Sequence, residues 1–143
     1  MLTNPLDFTA LEQGYVDLGS VPDYLPNWAQ NNILVDARWA AKHRPAVLGF
    51  LRAHIRATGY FYDPANRDEI VGILAKYTKT TPQIAGATYD LYVKQRVIAP
   101  GAALFEDGIK ANLDAFVAMG ELPSPPPLAG FIDPSFLAEA TRH

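Results

Sequence analysis

The side chains able to do chemistry are few and scattered along the chain. Histidine is the natural proton carrier near neutral pH, and there are three. His54 is placed on an apolar helical face. As a ligand or general base it needs a carboxylate or second histidine close by, and none stands at helical spacing. A hydrogen-bonded core histidine is the plainer reading. His43 lies between Lys42 and Arg44 in a basic turn, and His143 is the last residue, so both read as solvated. No HExxH pair, no DxDxDG loop and no other metal-ligand spacing occurs, so no metal is expected. The serines, Ser20, Ser124 and Ser135, stand outside any GxSxG elbow. Asp68 and Glu69 sit where a helix's first turn favours negative charge, which explains them without catalysis. No glycine-rich phosphate loop occurs. We therefore expect no catalytic residue, no cofactor and no enzyme.

The stretch VPDYLPNWAQNN, residues 21–32, is richer in recognition chemistry. Tyr24, Trp28 and Asn31, with Gln30 and Asn32, combine stacking rings with amides, a pairing that holds small polar ligands. The alternative is a loop pinned onto the core by its aromatics. Asn4, before Pro5, offers side-chain or helix N-terminal donors to an anion. Plain helix capping is the alternative there. The candidate ligand-binding residues are thus Asn4, Tyr24, Trp28 and Asn31.

The elements that must position them are mostly helices. Pro5, Leu6, Ala10 and Gln13 suit a short helix closed by Gly14. Residues 15–18 suit a short strand. Residues 21–32 read as loop, with Pro22 and Pro26 each disfavouring helix in the residue before. Ile33, Leu34 and Val35 form the one convincing β run. A helical turn over 37–42 precedes the longest helix, 45–62. There Val47, Leu51, His54, Ile55, Thr58 and Tyr62 share one face, and Arg52 and Arg56 share the other. Asn66 and Glu69 form a capping-box spacing before the next helix, with Asp63 and Pro64 as a second possible start. That helix buries Ile70, Val71, Ile73, Leu74 and Tyr77 and ends near Thr78. Thr81 and Pro82 open a helix running to about Gln95, with Ile84, Thr88, Leu91 and Tyr92 inward. Residues 106–119 form another, stopped by Gly120. A proline-rich crossing, 122–130, leads to a last short helix at 135–141. Tyr89 and Val93 lie opposite the face set by Ile84 and Leu91. Apolar surface this broad, with so little strand to cover it, implies a further partner surface.

Length and charge bound the rest. The 143 residues suffice for a domain with a real core. The net charge of -3 argues against a nucleic-acid partner. The absence of cysteine removes disulfides and thiolate sites. No apolar run approaches the roughly 20 residues of a membrane helix, and the N-terminus lacks the pattern of a signal peptide.

Read in order, the segments NPLDFTALEQGY and LGSVPDYLP, then ILVDARWAAKHRPAVLGFLRAHIRATGYFYDPANRDEIVGILAKYTKTT, then TYDLYV, then GIKANLDAFVAMGELPSPPP and FIDPSFLAEA resemble a known family. It is the C-terminal half of ABC-transporter substrate-binding proteins of the nitrate, sulfonate, taurine and thiamine-precursor branch. The resemblance implies a mainly α chain with one or two short β-strands. It would be the C-terminal piece of the two-lobed α/β periplasmic binding protein type II fold. Residues 1–36 would be a remnant of the second lobe and the hinge crossing. Residues 37–143 would be the helical end of the first lobe, packed with 1–36 as one compact domain. The implied function is the solute-binding component of an import system for a small anionic or nitrogen- or sulfur-containing organic molecule. Its partners would be that ligand and an ABC permease. The location would be periplasmic within a full-length receptor, or cytoplasmic if Met1 is the true start. The alternative expectation is a helical self-association module derived from such a protein. The broad apolar faces point in either case to a homo-oligomer.

Overall fold

The computed structural model describes residues 2–25 and 27–142. Pro26, read above as disfavouring helix, and His143, read as solvated, lie outside the described residues, as does Met1. The chain is mainly helical. Its elements are α1 (Leu6–Glu12), α2 (Val21–Tyr24), α3 (Ala37–Lys42), α4 (Arg44–Tyr62), α5 (Arg67–Thr78), α6 (Pro82–Gln95), α7 (Glu106–Ala118) and α8 (Ser135–Ala140). Among the described residues, single 3-10 turns at Pro64–Asn66, Pro100–Ala102 and Leu128–Gly130 join them. The residues fall into two units. Unit 1 holds the residues up to Leu18 together with Ile55–Gly101; unit 2 holds Gly19–His54 and the residues from Ala102 onward. α4 contributes its first part to unit 2 and its second to unit 1.

Unit 1 is built on α5 and α6. α6 starts where the sequence placed it: Thr81 Oγ1 accepts from the Ile84 N–H at 3.3 Å, and Pro82 occupies the first helical position, where it has no hydrogen bond to lose. Ile84, Ala85, Thr88 and Tyr89 of α6 are buried, with Ile70 of α5 and Thr58 of α4. The buried Thr88 hydroxyl is satisfied by the Ile84 carbonyl at 2.9 Å. Tyr89 shares this core, so α6 is covered on more than one narrow stripe. Arg67 forks onto Asp90, donating at 3.0 and 2.8 Å, and ties the first turn of α5 to α6. Those hydrogen bonds hold the Asp90 carboxyl below the usual carboxylate range. Glu69 does not close a capping box with Asn66. It accepts from the Tyr60 hydroxyl at 2.6 Å, while Asn66 Nδ2 donates to the Tyr60 carbonyl. Asp63 caps the 3-10 turn that precedes α5, accepting from the Ala65 N–H at 2.9 Å. Ile73 and Tyr77, expected inside, are exposed.

In unit 2, Asp36 caps α3 by accepting from the Trp39 N–H at 2.8 Å. Leu48 of α4 is buried, with Ala40 of α3 and Ala140 of α8. Arg44 pairs with Glu139 at 2.7 Å and lies 4.2 Å from the centre of the Phe136 ring, which fixes α8 on the start of α4. Arg52, placed on the wet side of α4 by the sequence, is half-buried, and its Nε finds no partner among the described residues.

Two further expectations need correction. The first is the one or two short strands: no strand occurs among the described residues. Residues 15–18 and 33–35 are irregular, and Ile33, Leu34 and Val35 are exposed. β propensity reports how well a side chain packs on a pleated neighbour. Among the described residues, no backbone hydrogen bond joins 30–35 to another segment, so there is no ladder to reward it. The second is the loop at 21–32, which opens with the helical turn α2. Pro22 lies in its first turn, where proline is tolerated, and the Ser20 N–H donates to Asp23 Oδ2 at 2.9 Å.

Candidate functional site

The four residues singled out for ligand binding are divided between the units. Asn4 belongs to unit 1 and Tyr24, Trp28 and Asn31 belong to unit 2. Asn4 is held by its own helix: Nδ2 donates to Asp7 Oδ2 at 2.5 Å. Tyr24 folds back over its own turn. A Cβ at Gly19 would stand 3.0 Å from its hydroxyl and 3.1 Å from its ring, and Gly19 has a φ of +129, so that position suits glycine twice over. Trp28 is half-buried and Asn31 is exposed. The loop after α2 is fixed less by its aromatics than by an amide from α7. Asn112 Oδ1 accepts from the Ala29 N–H at 3.2 Å, and Asn112 Nδ2 donates to the Ala29 carbonyl at 2.8 Å. One side chain thus satisfies both backbone groups of a buried residue. Close by on α7, a Cβ at Gly108 would overlap the Phe105 ring and come within 3.0 Å of Ala29 Cβ, so the loop approaches the helix where no side chain stands. Asn112 was not among the sequence candidates, because an asparagine 83 residues from its partner leaves no local pattern.

His43 is exposed, stacks on Trp39 with ring centres 4.5 Å apart, and donates from Nδ1 to the Trp39 carbonyl at 2.9 Å. His54 is half-buried and stacks on Phe50 with centres 6.1 Å apart, a looser setting than the hydrogen-bonded core position expected of it. No group of three metal-ligating side chains occurs among the described residues. None of their helices is long and apolar enough to cross a membrane.

Unit 1 carries a concavity of about 310 Å³ that the sequence did not suggest. It is lined by Thr58, Gly59 and Tyr62 of α4, Val93 of α6, and Arg96, Pro100 and Gly101. Tyr62 is fixed by donating its hydroxyl to the Ile98 carbonyl, and burial pushes that hydroxyl's pKa up. Arg96 is exposed and makes no ion pair among the described residues. No carboxylate lines the hollow. No family model, no curated protein and no solved structure matches this chain.

Proposed function

We propose that this chain is the helical C-terminal piece of a two-lobed solute-binding protein serving an ABC-type importer, and that it has no catalytic role. Its ligand would be a small anionic or nitrogen- or sulfur-containing organic molecule, handed on to a membrane permease. Tyr24, Trp28 and Asn31 in unit 2, or Asn4 in unit 1, are the positions offered to that ligand. The periplasm is the location this reading implies. One observation carries the proposal beyond the likeness of the segments. Ile33, Leu34 and Val35 have strand-forming side chains, stand exposed and pair with no other segment among the described residues. In a two-lobed α/β fold such a run crosses between lobes and joins a sheet. That sheet would be supplied by the part of the receptor that precedes these residues. The coding DNA upstream of Met1 tests this. We expect the same frame to continue into an α/β lobe behind a secretion signal, and a stop codon within about 30 codons would overturn the reading.

A specific observation favours a second reading, a self-associating helical module. Ile73 and Tyr77 in unit 1, and Phe116, Met119 and Phe131 in unit 2, are large apolar residues left exposed. Burying such side chains against a second copy gains about 25 cal/mol per Å² of apolar surface. The expected result is a homodimer or larger species in light scattering at micromolar concentration. A strictly monomeric mass would remove this second reading.

A further inference from the structure

We propose that the hollow in unit 1 is a binding site for a small organic carboxylate with an apolar, ring-sized body. The inference does not depend on the transport reading, because every lining residue lies within one unit and none is among the four ligand candidates named above. Volume sets the size of the ligand: about 310 Å³ is at the small end of ligand sites and suits a single ring with one substituent. Charge sets the sign. Arg96 is the charged residue of the lining, it makes no ion pair among the described residues, and no acidic side chain lines the hollow. A guanidinium matches a carboxylate through two parallel hydrogen bonds. The walls set the rest. The Tyr62 ring, Val93 and Pro100 are apolar surfaces, while the Tyr62 hydroxyl is already committed to Ile98. An inorganic anion would lose hydration against those walls and gain one cation only. A molecule with an apolar body and a single carboxylate fills both halves.

Gly59 is a lining residue without a side chain, and a Cβ built there would meet nothing within 4 Å. Arg96 is the C-cap of α6, with a left-handed φ of +51, and is one of the residues that line the hollow.

The test uses the full chain, benzoate as probe, and benzamide as its neutral match. In amide-detected NMR we expect benzoate to shift Gly59, Gly101 and Arg96 saturably, with a dissociation constant of about 1 mM, as suits a ligand of this size. Benzamide should bind at least about tenfold more weakly, by the loss of the charged pair. Arg96→Asn keeps a residue that tolerates the left-handed backbone and removes the cation. It should weaken benzoate about tenfold and leave benzamide unchanged. Gly59→Leu fills the hollow with a better helix former, and it should abolish both while the remaining amide spectrum keeps its dispersion. Equal binding of benzoate and benzamide, shifts confined to other residues, or benzoate affinity unchanged in Arg96→Asn would each overturn the proposal.

Discussion

Tyr89→Ala should cost unit 1 about 3–5 kcal/mol, the range for removing a buried aromatic ring. Whole small domains are stable by only about 5–15 kcal/mol, so the variant should lose most of the amide protection of α5 and α6. The effect is large because several contacts converge on one ring. Tyr89 is buried, its hydroxyl donates to the Phe61 carbonyl at 3.1 Å, and its ring centre lies 5.1 Å from that of Phe61. The Arg67 guanidinium sits 5.8 Å from the ring centre while forking onto Asp90 one residue on. Losing the ring opens a cavity between α6 and the end of α4, and the Arg67 fork loses the surface it lies on. Tyr89→Phe removes the hydroxyl alone and should cost about 1 kcal/mol. Urea unfolding of the two variants separates packing from hydrogen bonding. If alanine cost no more than phenylalanine, the ring would not be part of the core.

Asn112→Ala is expected to release the loop that carries Trp28 and Asn31. The change leaves the Ala29 N–H and carbonyl both without a partner in a buried position. Each such group costs about 1–3 kcal/mol, so the loop is expected to detach instead of staying in place unsatisfied. The clearest reading is amide hydrogen exchange. Ala29 should be protected in the parent and exchange at least about a hundredfold faster in the variant, equivalent to roughly 2.7 kcal/mol, while α7 keeps its own protection. Asn112→Asp should fare little better, because a carboxylate still accepts from the N–H but turns an oxygen toward the carbonyl. Unchanged exchange at Ala29 would mean that the loop is held by something other than Asn112.

What was legible in the sequence was local. α6 starts at the Thr81 and Pro82 that mark it and α7 stops short of Gly120, because such signals act between residues a few positions apart. Pro22 was misread for a related reason. Proline forbids a helix interior but suits a first turn, and nothing nearby says which applies until Ser20 and Asp23 are seen together. The strand expectation at Ile33, Leu34 and Val35 failed because a strand needs a neighbour, and residue types do not state whether one is present. Glu69 went to the Tyr60 hydroxyl, nine residues back, a competitor outside the capping pattern. The candidate site was the least legible part. Asn112 and Ala29, or Tyr62 and Arg96, come together only through the fold.

Proline stands in the first turn of α2, α4 and α6, as Pro22, Pro45 and Pro82, and opens the 3-10 turns at Pro64 and Pro100. Such a residue narrows the denatured ensemble as well as the native one, because its φ is fixed before any contact forms. It also bars a helix from growing backward past it, since the missing N–H and the ring's bulk stop the preceding turn. Frame-shifted versions of these helices are therefore removed from the competition at the level of the free chain. A sequence that leaves so many large apolar residues in water has many ways to pack wrongly. Fixing where each helix begins limits those errors to how the helices meet, and keeps them from changing which residues are helical.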